Sequence, residues 1–539
     1  MLKAGKPKVE RINLTQKQNF LFNFDLKPVE LENYLDEYLI GQKEAKGIIA
    51  TKICTHFHKA KNLLLKSHRL DNVGFIKNNI IIIGPTGVGK TYTLKLIAHK
   101  LGVPFAKGDA TKYSETGYVG GDVEDLIRDL YYEADGDLEK ARFGIVYLDE
   151  IDKIASPGDI IGPDVSRTGV QRALLKLLEE TQVEIRTPQE GLQMLEFPEE
   201  NRNKKGKTTL NTKYILFVVS GAFQGLEEII KKRLKKQSLG FLSEIEKKEE
   251  QKINYLKFVT PEDLVNYGFE REFVGRFPVI AVFDPLTEEE LFEILANPNN
   301  VIVLNKKRDF KVYGIDLAFT DSAFREIAKE ALKEGTGARA LARILERILI
   351  PFERTLPSYQ INILGVTEEL VKDPEGYLRA MLSNPESQKW DEAYREAIFA
   401  ERDRIHLYLE KKKTQNQKLP LEITPKRLNL LFDIYKSEEV EVTHALEELS
   451  SIYRQVKAYE GSFSKRNQIQ AIFTDEAIDY VMEEVLKRDQ GVFTFCERAL
   501  ARLEYTFSFL KETTKRNRFY ITKMAFLDQD KFLEELLKS

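Results

Sequence analysis

Runs of consecutive apolar residues alternate with stretches of helical periodicity in the first half of the chain. Four runs predict strands, at 80–83, 103–106, 144–149 and 214–221. The stretches between them predict helices, at 92–101, 123–134 and 170–180. Continuous apolar runs are typical of strands that are buried on both faces, and strands that alternate with helices form parallel sheets. The pattern therefore predicts an α/β fold with a central parallel sheet.

Helical periodicity dominates the rest of the chain. A capping-box pattern at 286–290 starts a mostly helical stretch that continues to about residue 350. Residues 381–413 are charged and helical in pattern, and 414–420 have the composition of a linker. We expect an N-terminal tail (1–27), an α/β region (28–285), a mainly helical region (286–380), a helical extension with a linker (381–464) and a final helical module (465–539).

Composition narrows the class of protein. The 539 residues are enough for about three or four domains. Lys+Arg number 82 and Asp+Glu 85, a net charge of −3, which argues against a dedicated nucleic-acid binder. No apolar run is long enough to span a bilayer, and the polar N-terminal residues do not form a secretory signal. Two cysteines cannot form a disulfide framework, so we expect a cytoplasmic protein.

The most specific motif follows the first apolar run. Its residues are Gly84, Pro85, Thr86, Gly87, Val88, Gly89, Lys90 and Thr91, the pattern G-x-x-x-x-G-K-T between a predicted strand and a predicted helix. Its glycines let backbone N–H groups approach phosphate oxygens, and the helix N-terminus adds partial positive charge. Lys90 is expected to reach the β- and γ-phosphates of ATP, and the Thr91 hydroxyl to bind Mg²⁺. The alternative, a plain glycine-rich turn, does not account for the apolar strand before it.

A second motif closes the strand at 144–149. Asp149 and Glu150 stand at its carboxyl end, 59 residues after Lys90 (149 − 90). Asp149 can hold the hydration shell of Mg²⁺, and Glu150 can orient and polarise the attacking water. Ser220 ends a further predicted strand at the edge where such sheets bind ligands. The two motifs together predict an ATPase.

Other segments have no clear meaning when taken alone. Tyr118 and Val119 lie between glycines in a predicted loop, and Leu239-Gly240-Phe241 is an apolar tripeptide in a charged stretch. Arg276 lies between apolar residues, and Arg339 begins a predicted helix. Each has an ordinary structural explanation, as a turn, a loop or a surface arginine.

The predicted helices at 29–65, with a break at 40–42, contain Cys54, His56 and His58. On a helix Cys54 and His58 share a face and His56 does not, and no fourth ligand is nearby. We therefore expect an ordinary helix surface and no metal site at this position.

The motifs, taken in order, resemble the ClpX family of AAA+ proteins from about residue 28 to residue 370. The matching segments are LDEYLIGQ, GPTGVGKT, GYVGGDVE, GIVYLDEIDKI, DVSRTGVQRALLKLLE, ILFVVSGAF, EFVGRFPV and GTGARALARILE. The related HslU family has a large domain inserted between the two ATPase motifs, and the 59-residue spacing (149 − 90) leaves no room for it. The resemblance implies large and small AAA+ subdomains at 28–285 and 286–380.

The resemblance also implies roles for single residues and for partners. Arg276 matches the arginine finger, which reaches the nucleotide of a neighbouring subunit, and Arg339 matches the sensor 2 arginine, which acts within its own subunit. Tyr118 and Val119 match the pore loop that grips a translocating polypeptide. Residues 239–241 match the tripeptide that docks into a ClpP-type peptidase. The family forms homo-hexameric rings that use ATP and Mg²⁺ to unfold tagged proteins.

Three departures from the family pattern limit the comparison. The family usually begins with a four-cysteine zinc domain that binds adaptors, whereas only Cys54 precedes the P-loop in this sequence. The basic segment 201–207 does not spell the family's Arg-Lys-His loop, which leaves the degradation tags open. Gly121 stands where the family usually has Glu.

The C-terminal extension contains an internal echo, by which we mean two short sequence segments that recur farther along the chain. Residues 319–323 recur at 473–477, and 339–343 recur at 498–502. The echo predicts a degenerate small-subdomain-like module near 465–539, although two chance matches between amphipathic helices remain the alternative. Two rival functions also remain: a remodelling ATPase that works without a peptidase, and a nucleic-acid-remodelling AAA+ protein, which the net charge opposes.

Overall fold

The structure is a computed structural model that describes residues 24–65, 75–114, 121–156, 167–185, 208–237, 254–414, 419–514 and 517–538. The predicted pore loop at Tyr118 and Val119 and the tripeptide 239–241 lie outside the described residues. The chain forms two compact units: Met1–Leu291 with Ala331–Ala340, and Phe292–Glu330 with Leu341–Ser539. The helices of the described residues do not combine the length and the apolar character that crossing a membrane requires.

The first unit is built on a five-stranded parallel sheet. Its helices are α1 (Pro28–Asp36), α2 (Lys43–Leu65), α3 (Lys90–Leu101), α4 (Asp125–Glu133), α5 (Leu138–Ala141), α6 (Arg167–Leu178), α7 (Leu226–Gln237), α8 (Pro261–Tyr267) and α9 (Arg271–Gly275). Its strands are β1 (Ile80–Ile83), β2 (Phe105–Asp109), β3 (Ile145–Asp149), β4 (Gln182–Glu184), β5 (Thr209–Asn211), β6 (Leu216–Gly221) and β7 (Val279–Val282). The sheet order is β2-β3-β6-β1-β7, and β4 and β5 form a separate antiparallel pair.

Burial explains why the sheet follows the apolar runs. Every residue of β1 and β6 is buried, as expected for central strands with helices on both faces. The α/β fold with a central parallel sheet is thus confirmed. Strand β2 begins at Phe105, two residues later than predicted, because Pro104 has no N–H and contributes only its carbonyl, which accepts from Ile145.

The expectation of an exposed surface around Cys54 and His56 is wrong. Both side chains are fully buried, because the apolar stripe of α2 is broad enough to include them. The ring Nε2 of His56 lies 2.9 Å from the carbonyl oxygen of Tyr214. Burial lowers the pKa of His56 to about 4 and raises the pKa of Cys54 to about 11, so both side chains are neutral core residues.

The remaining helices continue into the second unit. They are α10 (Glu288–Ala296), α11 (Val301–Lys311), α12 (Asp321–Glu334), α13 (Ala338–Thr355), α14 (Glu368–Lys372), α15 (Pro374–Ser383), α16 (Gln388–Thr414), α17 (Pro425–Glu438), α18 (Val442–Arg466), α19 (Asp475–Arg488), α20 (Val492–Thr514), α21 (Met524–Leu527) and α22 (Gln529–Lys538). Two parallel strand pairs lie among them: β8 (Asp316–Phe319) with β9 (Ile363–Val366), and β10 (Gln470–Phe473) with β11 (Arg518–Ile521).

The same order of elements occurs twice along this half of the chain. Two helices, a strand, two helices, a strand and two helices run from α10 to α15 and again from α17 to α22. In both copies a threonine follows the first strand: Thr320 and Thr474 each donate their backbone N–H to the end of the second strand, at 3.0 Å. The hydroxyl of each accepts from the first turn of the next helix. The second copy includes α17 and α18, ahead of residue 465, and the five segment boundaries stay predictions.

Helix α16 joins the two copies and covers the first strand pair. Gly365 of β9 lies so close to it that a Cβ there would be 2.6 Å from the backbone of Ala393. The guanidinium of Arg404 pairs with Asp321 and donates to the carbonyl oxygen of Phe319 at 3.1 Å. The 27-residue helix is therefore part of the fold of the first copy as well as a connection.

A buried cluster with two acids and one base fixes α17 against α11 and α16. The ammonium of Lys307 pairs with Glu401 and lies 3.8 Å from the Glu439 carboxylate. The hydroxyl of Tyr435 donates to Glu401 at 2.9 Å. One oxygen of each glutamate is buried without a hydrogen-bond partner among the described residues. Because one ammonium faces two carboxylates, the cluster carries an excess negative charge unless one acid is protonated.

We expect Glu439→Gln to weaken the pH dependence of this junction. Burial raises the pKa of Glu439 from 4.5 to about 7; Lys307 and Lys311 oppose the rise, and Glu401 and Asp316 add to it. An acid whose pKa is higher in the folded state than in the unfolded state stabilises the fold fully at a pH below its unfolded pKa. This stabilisation is lost as the pH rises to about 7, and the change in the free energy of unfolding is up to roughly 3 kcal/mol. Glutamine keeps the shape and cannot ionise.

The measurement is hydrogen exchange of the α17 amides between pH 5 and pH 8, corrected for intrinsic rates. Wild type should lose protection as the pH rises, and Glu439→Gln should lose less. Glu438→Gln is the matched control, because this adjacent side chain is exposed. Equal pH profiles for wild type and Glu439→Gln would contradict the assignment.

Candidate nucleotide site

The loop between β1 and α3 folds around the ammonium of Lys90. The Lys90 Nζ donates to the carbonyl oxygens of Gly84 at 2.5 Å and Pro85 at 2.8 Å. Gly87 and Gly89 have φ angles of +77° and +96°, which glycine adopts without a Cβ clash. Burial lowers the pKa of Lys90 below its ordinary value. The loop thus holds a partly desolvated cation at the start of a helix, which suits a phosphate group.

The segment that precedes α2 packs directly against this loop. Val88 is buried under the loop while Thr86 is exposed. A Cβ at Gly89 would lie 2.6 Å from the side chain of Leu39. The amide of Gln42 donates to the carbonyl oxygen of Asp284 and accepts from its backbone N–H, both at 2.8 Å. These two bonds, across 242 residues of sequence, hold the 39–42 segment in place beside the P-loop.

Residues 335–339 contact the P-loop from the other side. The backbone N–H of Ala338 donates to the carbonyl oxygen of Gly87 at 2.9 Å. A Cβ at Gly337 would lie 2.7 Å from that same oxygen. Arg339 follows at the start of α13 with an exposed side chain, and its charge is close enough to contribute to the lowered pKa of Lys90. The structure therefore brings Arg339 to the site of Lys90.

Asp149 lies where the strand ends meet beneath the loop. Its Oδ1 accepts from the Ser220 hydroxyl at 2.7 Å, and its Oδ2 accepts from the Thr91 hydroxyl at 3.3 Å. The ammonium of Lys107 is 3.9 Å from Oδ2. Although burial opposes it, the hydrogen bond from Ser220 and the nearby lysines lower the pKa of Asp149 below its ordinary value. Asp149 is therefore an ionised, oriented carboxylate beside the Thr91 hydroxyl.

Glu150 is the next residue, and its backbone is left-handed with φ +57°. This conformation costs roughly 1–2 kcal/mol for a residue with a Cβ, so the surrounding turn must hold it in place. Its backbone N–H donates to Asp149 Oδ1 at 3.1 Å, and its side chain is exposed. The turn thus directs the Glu150 carboxylate away from the core, where a water molecule can reach it.

Arg276 lies at the opposite edge of the same sheet. Its backbone carbonyl accepts from the Asn79 amide at 3.0 Å, and Asn79 directly precedes β1. Buried Phe273 and Phe277 flank it, while its guanidinium is about half exposed and pairs with Glu179. The five steps along the chain from Asn79 to Gly84 span about 17 Å in extended conformation. The structure therefore does not bring Arg276 to the P-loop of its own chain.

Sequence reasoning missed three contributors to this site. Tyr147 is buried in β3, and its hydroxyl lies between the Thr91 and Ser220 hydroxyls. Lys107 faces Asp149 from β2, and Gln42 bonds to Asp284. Of these three, the sequence could have indicated only Tyr147. Its side chain ends in a hydroxyl, and it lies two residues before Asp149, so both side chains are on the same face of the strand.

Two family models match the chain. An AAA domain (Cdc48 subfamily) matches residues 76–280, and the C-terminal, D2-small domain of ClpB protein matches residues 286–351. Three similar proteins are named ATP-dependent Clp protease ATP-binding subunit ClpX. Those of Borrelia duttonii and Borrelia recurrentis are each 40% identical over 347 residues, which is 64% of this chain and 78% of theirs. That of Treponema denticola is 38% identical over 334 residues, 61% of this chain and 77% of its own.

The chain belongs to the ClpX family. It is accordingly an AAA+ ATPase that binds nucleotide, and a Clp-type ATP-dependent unfoldase. The resemblance drawn from the motifs is confirmed. The roles of the individual site residues stay predictions, because membership of the ClpX family does not test them.

We expect Gly337→Ala to weaken nucleotide binding about tenfold, while Gly335→Ala has a smaller effect. Gly335 and Gly337 have φ angles of +65° and +59°, so alanine costs roughly 1 kcal/mol of backbone strain at either position. Only at Gly337 does the new Cβ collide with the P-loop, whereas nothing lies within 4 Å of a Cβ at Gly335. Titration with a fluorescent ATP analogue measures the difference, and equal affinities would contradict it.

Proposed function

We propose that the chain forms a homo-hexameric ring that hydrolyses ATP, pulls tagged or unfolded proteins through its centre and passes them to a ClpP-type peptidase. The observation that supports this most directly is the meeting of Lys90, Thr91 and Asp149 at one edge of the sheet while Arg276 stands exposed at the other. A site divided in this way needs a neighbouring copy to complete it. We also propose a cytoplasmic location.

The proposed nucleotide site acts on the phosphates through backbone groups and positive charges, and not through a covalent intermediate. The residues from Gly84 to Thr91 surround the phosphates, with Lys90 as their cation, and Arg339 approaches from the sensor 2 segment. Phosphoryl transfer needs positive charge around the γ-phosphate more than it needs a nucleophile from the protein. The pKa of Lys90 is lowered because its ammonium is partly desolvated. A partly desolvated ammonium interacts more strongly with a phosphate than an ammonium in water does.

The oxygen atoms of Thr91 and Asp149 fit a magnesium ion. They are hard ligands, 3.3 Å apart, and the carboxylate is ionised. Thr91 and Asp149 would hold the ion, and it would supply positive charge that neutralises part of the phosphate charge. Asp149 would orient the hydration shell, and the exposed Glu150 would hold and polarise the attacking water.

Arg276 would act on the nucleotide of a neighbouring copy. Its backbone is fixed to the sheet by Asn79 and its side chain is free to move away from Glu179, because both side chains are about half exposed. An exposed ion pair of this kind is worth at most about 1 kcal/mol, so exchanging the Glu179 carboxylate for a phosphate costs little.

Two inactive variants should restore each other when mixed. Arg276→Ala keeps its own Glu150 and P-loop, and Glu150→Gln keeps its own arginine, so each should bind ATP and scarcely hydrolyse it. In rings formed at random from equal amounts of the two variants, about a quarter of the interfaces combine an intact Glu150 from one subunit with an intact Arg276 from its neighbour. The mixture should therefore recover roughly a quarter of the wild-type ATPase activity. The measurement is phosphate release by the mixture.

Arg271→Ala is the matched control, because Arg271 begins the short helix α9 that ends just before Arg276, and it pairs at the surface with Glu262. It should hydrolyse ATP normally by itself. Full activity of Arg276→Ala alone, or no recovery in the mixture, would contradict action across the interface.

Delivery to a ClpP-type peptidase and the grip of Tyr118 and Val119 rest on family membership, since these loops lie outside the described residues. The apolar tripeptide Leu239-Gly240-Phe241 in a charged stretch supports a docking role. A remodelling ATPase that works without a peptidase is the alternative.

We expect Phe241→Ala to lose retention of ClpP while keeping its ATPase activity, because an aromatic anchor in a pocket carries much of the energy of such contacts. A pull-down with ClpP in the presence of a slowly hydrolysed ATP analogue measures it. Phe258→Ala, at an exposed phenylalanine of the same unit, is the control. No retention by the unmutated chain would favour the peptidase-independent alternative.

A further inference from the structure

The turn between α17 and α18 brings one imidazole and two carboxylates together. Glu438 is the last residue of α17, and His444 and Glu448 lie four residues apart on one face of α18. One ligand atom from each of the three side chains lies within 4.8 Å of the other two. Glu438 and His444 are exposed, and Glu448 is half-buried. The three donors thus come from two different helices and meet at the surface of the second unit.

The backbone of this turn is fixed by contacts with an earlier segment of the second unit. Glu439 has a left-handed backbone with φ +48°, and its carbonyl oxygen accepts from the Arg308 Nε at 2.9 Å. The backbone N–H of Thr443 donates to the Asn299 side chain at 3.2 Å. Val442, at the start of α18, is fully buried. Because the end of one helix and the start of the next are both held, the backbone positions the three donors for a common ligand.

The three side chains have no other partner within the ranges that the structure describes. None of them forms a hydrogen bond or an ion pair there. Burial raises the pKa of Glu448, the charge of Glu438 raises it further, and His444 opposes the rise. Two carboxylates that repel each other are therefore held beside an imidazole, and a divalent cation between them would relieve the repulsion.

The types of donor select the class of ion. Ca²⁺ and Mg²⁺ are bound through oxygen atoms, whereas Zn²⁺ and similar transition-metal ions take imidazole nitrogen together with carboxylate oxygen. The imidazole therefore distinguishes this group from a cluster of acids. Tetrahedral ligands about 2.1 Å from zinc are about 3.4 Å apart, so the donors have to approach one another by roughly 1 Å. Side chains at the surface can do this by small rotations, because they are not packed in the core.

We propose that Glu438, His444 and Glu448 form a binding site for Zn²⁺ or a similar divalent transition-metal ion. Three protein ligands leave the fourth position of the ion to water. The ion would connect the end of α17 with the first turns of α18, and so stabilise the second copy of the repeated elements. The site is separate from the proposed nucleotide site, and it does not depend on ATP or on a peptidase.

The test is a calorimetric titration of the full chain with Zn²⁺, after metals have been removed with EDTA and the EDTA by dialysis. Excess Mg²⁺ is present throughout and occupies sites made of oxygen atoms alone. Wild type should bind one equivalent of Zn²⁺ that His444→Ala does not bind. Glu448→Gln should weaken this binding at least about tenfold, because losing even a partner of a metal ligand costs about 10–100-fold in affinity.

Co²⁺ gives a second readout that reports coordination directly. Wild type with Co²⁺ in place of Zn²⁺ should show the visible absorption of a cobalt ion with few, partly nitrogen ligands, and His444→Ala should show only the spectrum of hydrated Co²⁺. Because His444 is exposed, its replacement should leave the fold intact, which circular dichroism checks.

His406→Ala and Glu447→Gln are the matched controls. His406 is an exposed histidine of α16, and Glu447 is the exposed neighbour of Glu448 on α18. Neither belongs to the group of three donors, so both variants should bind Zn²⁺ as wild type does.

Three results would overturn the proposal. The first is a wild type that binds no Zn²⁺ in excess Mg²⁺, which would mean that the side chains form only an acidic patch. The second is equal Zn²⁺ binding by wild type, His444→Ala and Glu448→Gln, which would place the ion elsewhere on the chain. The third is an equal loss of binding in His406→Ala and His444→Ala, which would show that Zn²⁺ binds to surface histidines without selection.

Discussion

The carboxylate of Asp149 accepts hydrogen bonds and donates none, and the nucleotide site is arranged around that restriction. Ser220, Thr91 and the backbone of Glu150 all point protons at it, from three different segments of the chain. These segments meet because β1, β3 and β6 are neighbours in a parallel sheet whose carboxyl ends share one edge. Because these hydrogen bonds favour the charged form of the carboxyl group, they lower the pKa of Asp149.

The local parts of this site could be predicted from sequence, and the parts that depend on strand order could not. The P-loop and the Asp149-Glu150 pair are contiguous motifs whose chemistry follows from residue type and spacing. The pairing of Gln42 with Asp284 joins residues 242 positions apart and leaves no local pattern. The contact of Tyr147 with Ser220 could be predicted only by knowing that β6 lies beside β3.

The repeated elements of the second half show which sequence echoes carry structural information. The match of 319–323 with 473–477 coincides with the end of a strand and a threonine cap in both copies, where few residues fit. The match of 339–343 with 498–502 does not align. Helix α13 begins at Ala338 and α20 at Val492, so the counterpart of Arg339 is Phe493. Regular amphipathic helices repeat their composition every few residues, which allows such displaced matches.

The close approach of α16 to Gly365 bears on how the C-terminal region is connected to the rest of the protein. A boundary drawn near residue 380 looks natural from the family pattern, yet the residues just beyond it supply the covering layer of the first strand pair. The backbone of β9 admits no side chain at that point, and without the helix its apolar face would meet water. The first strand pair and the helix beyond residue 380 thus share one hydrophobic layer, so cutting the chain between them would expose apolar surface on both sides.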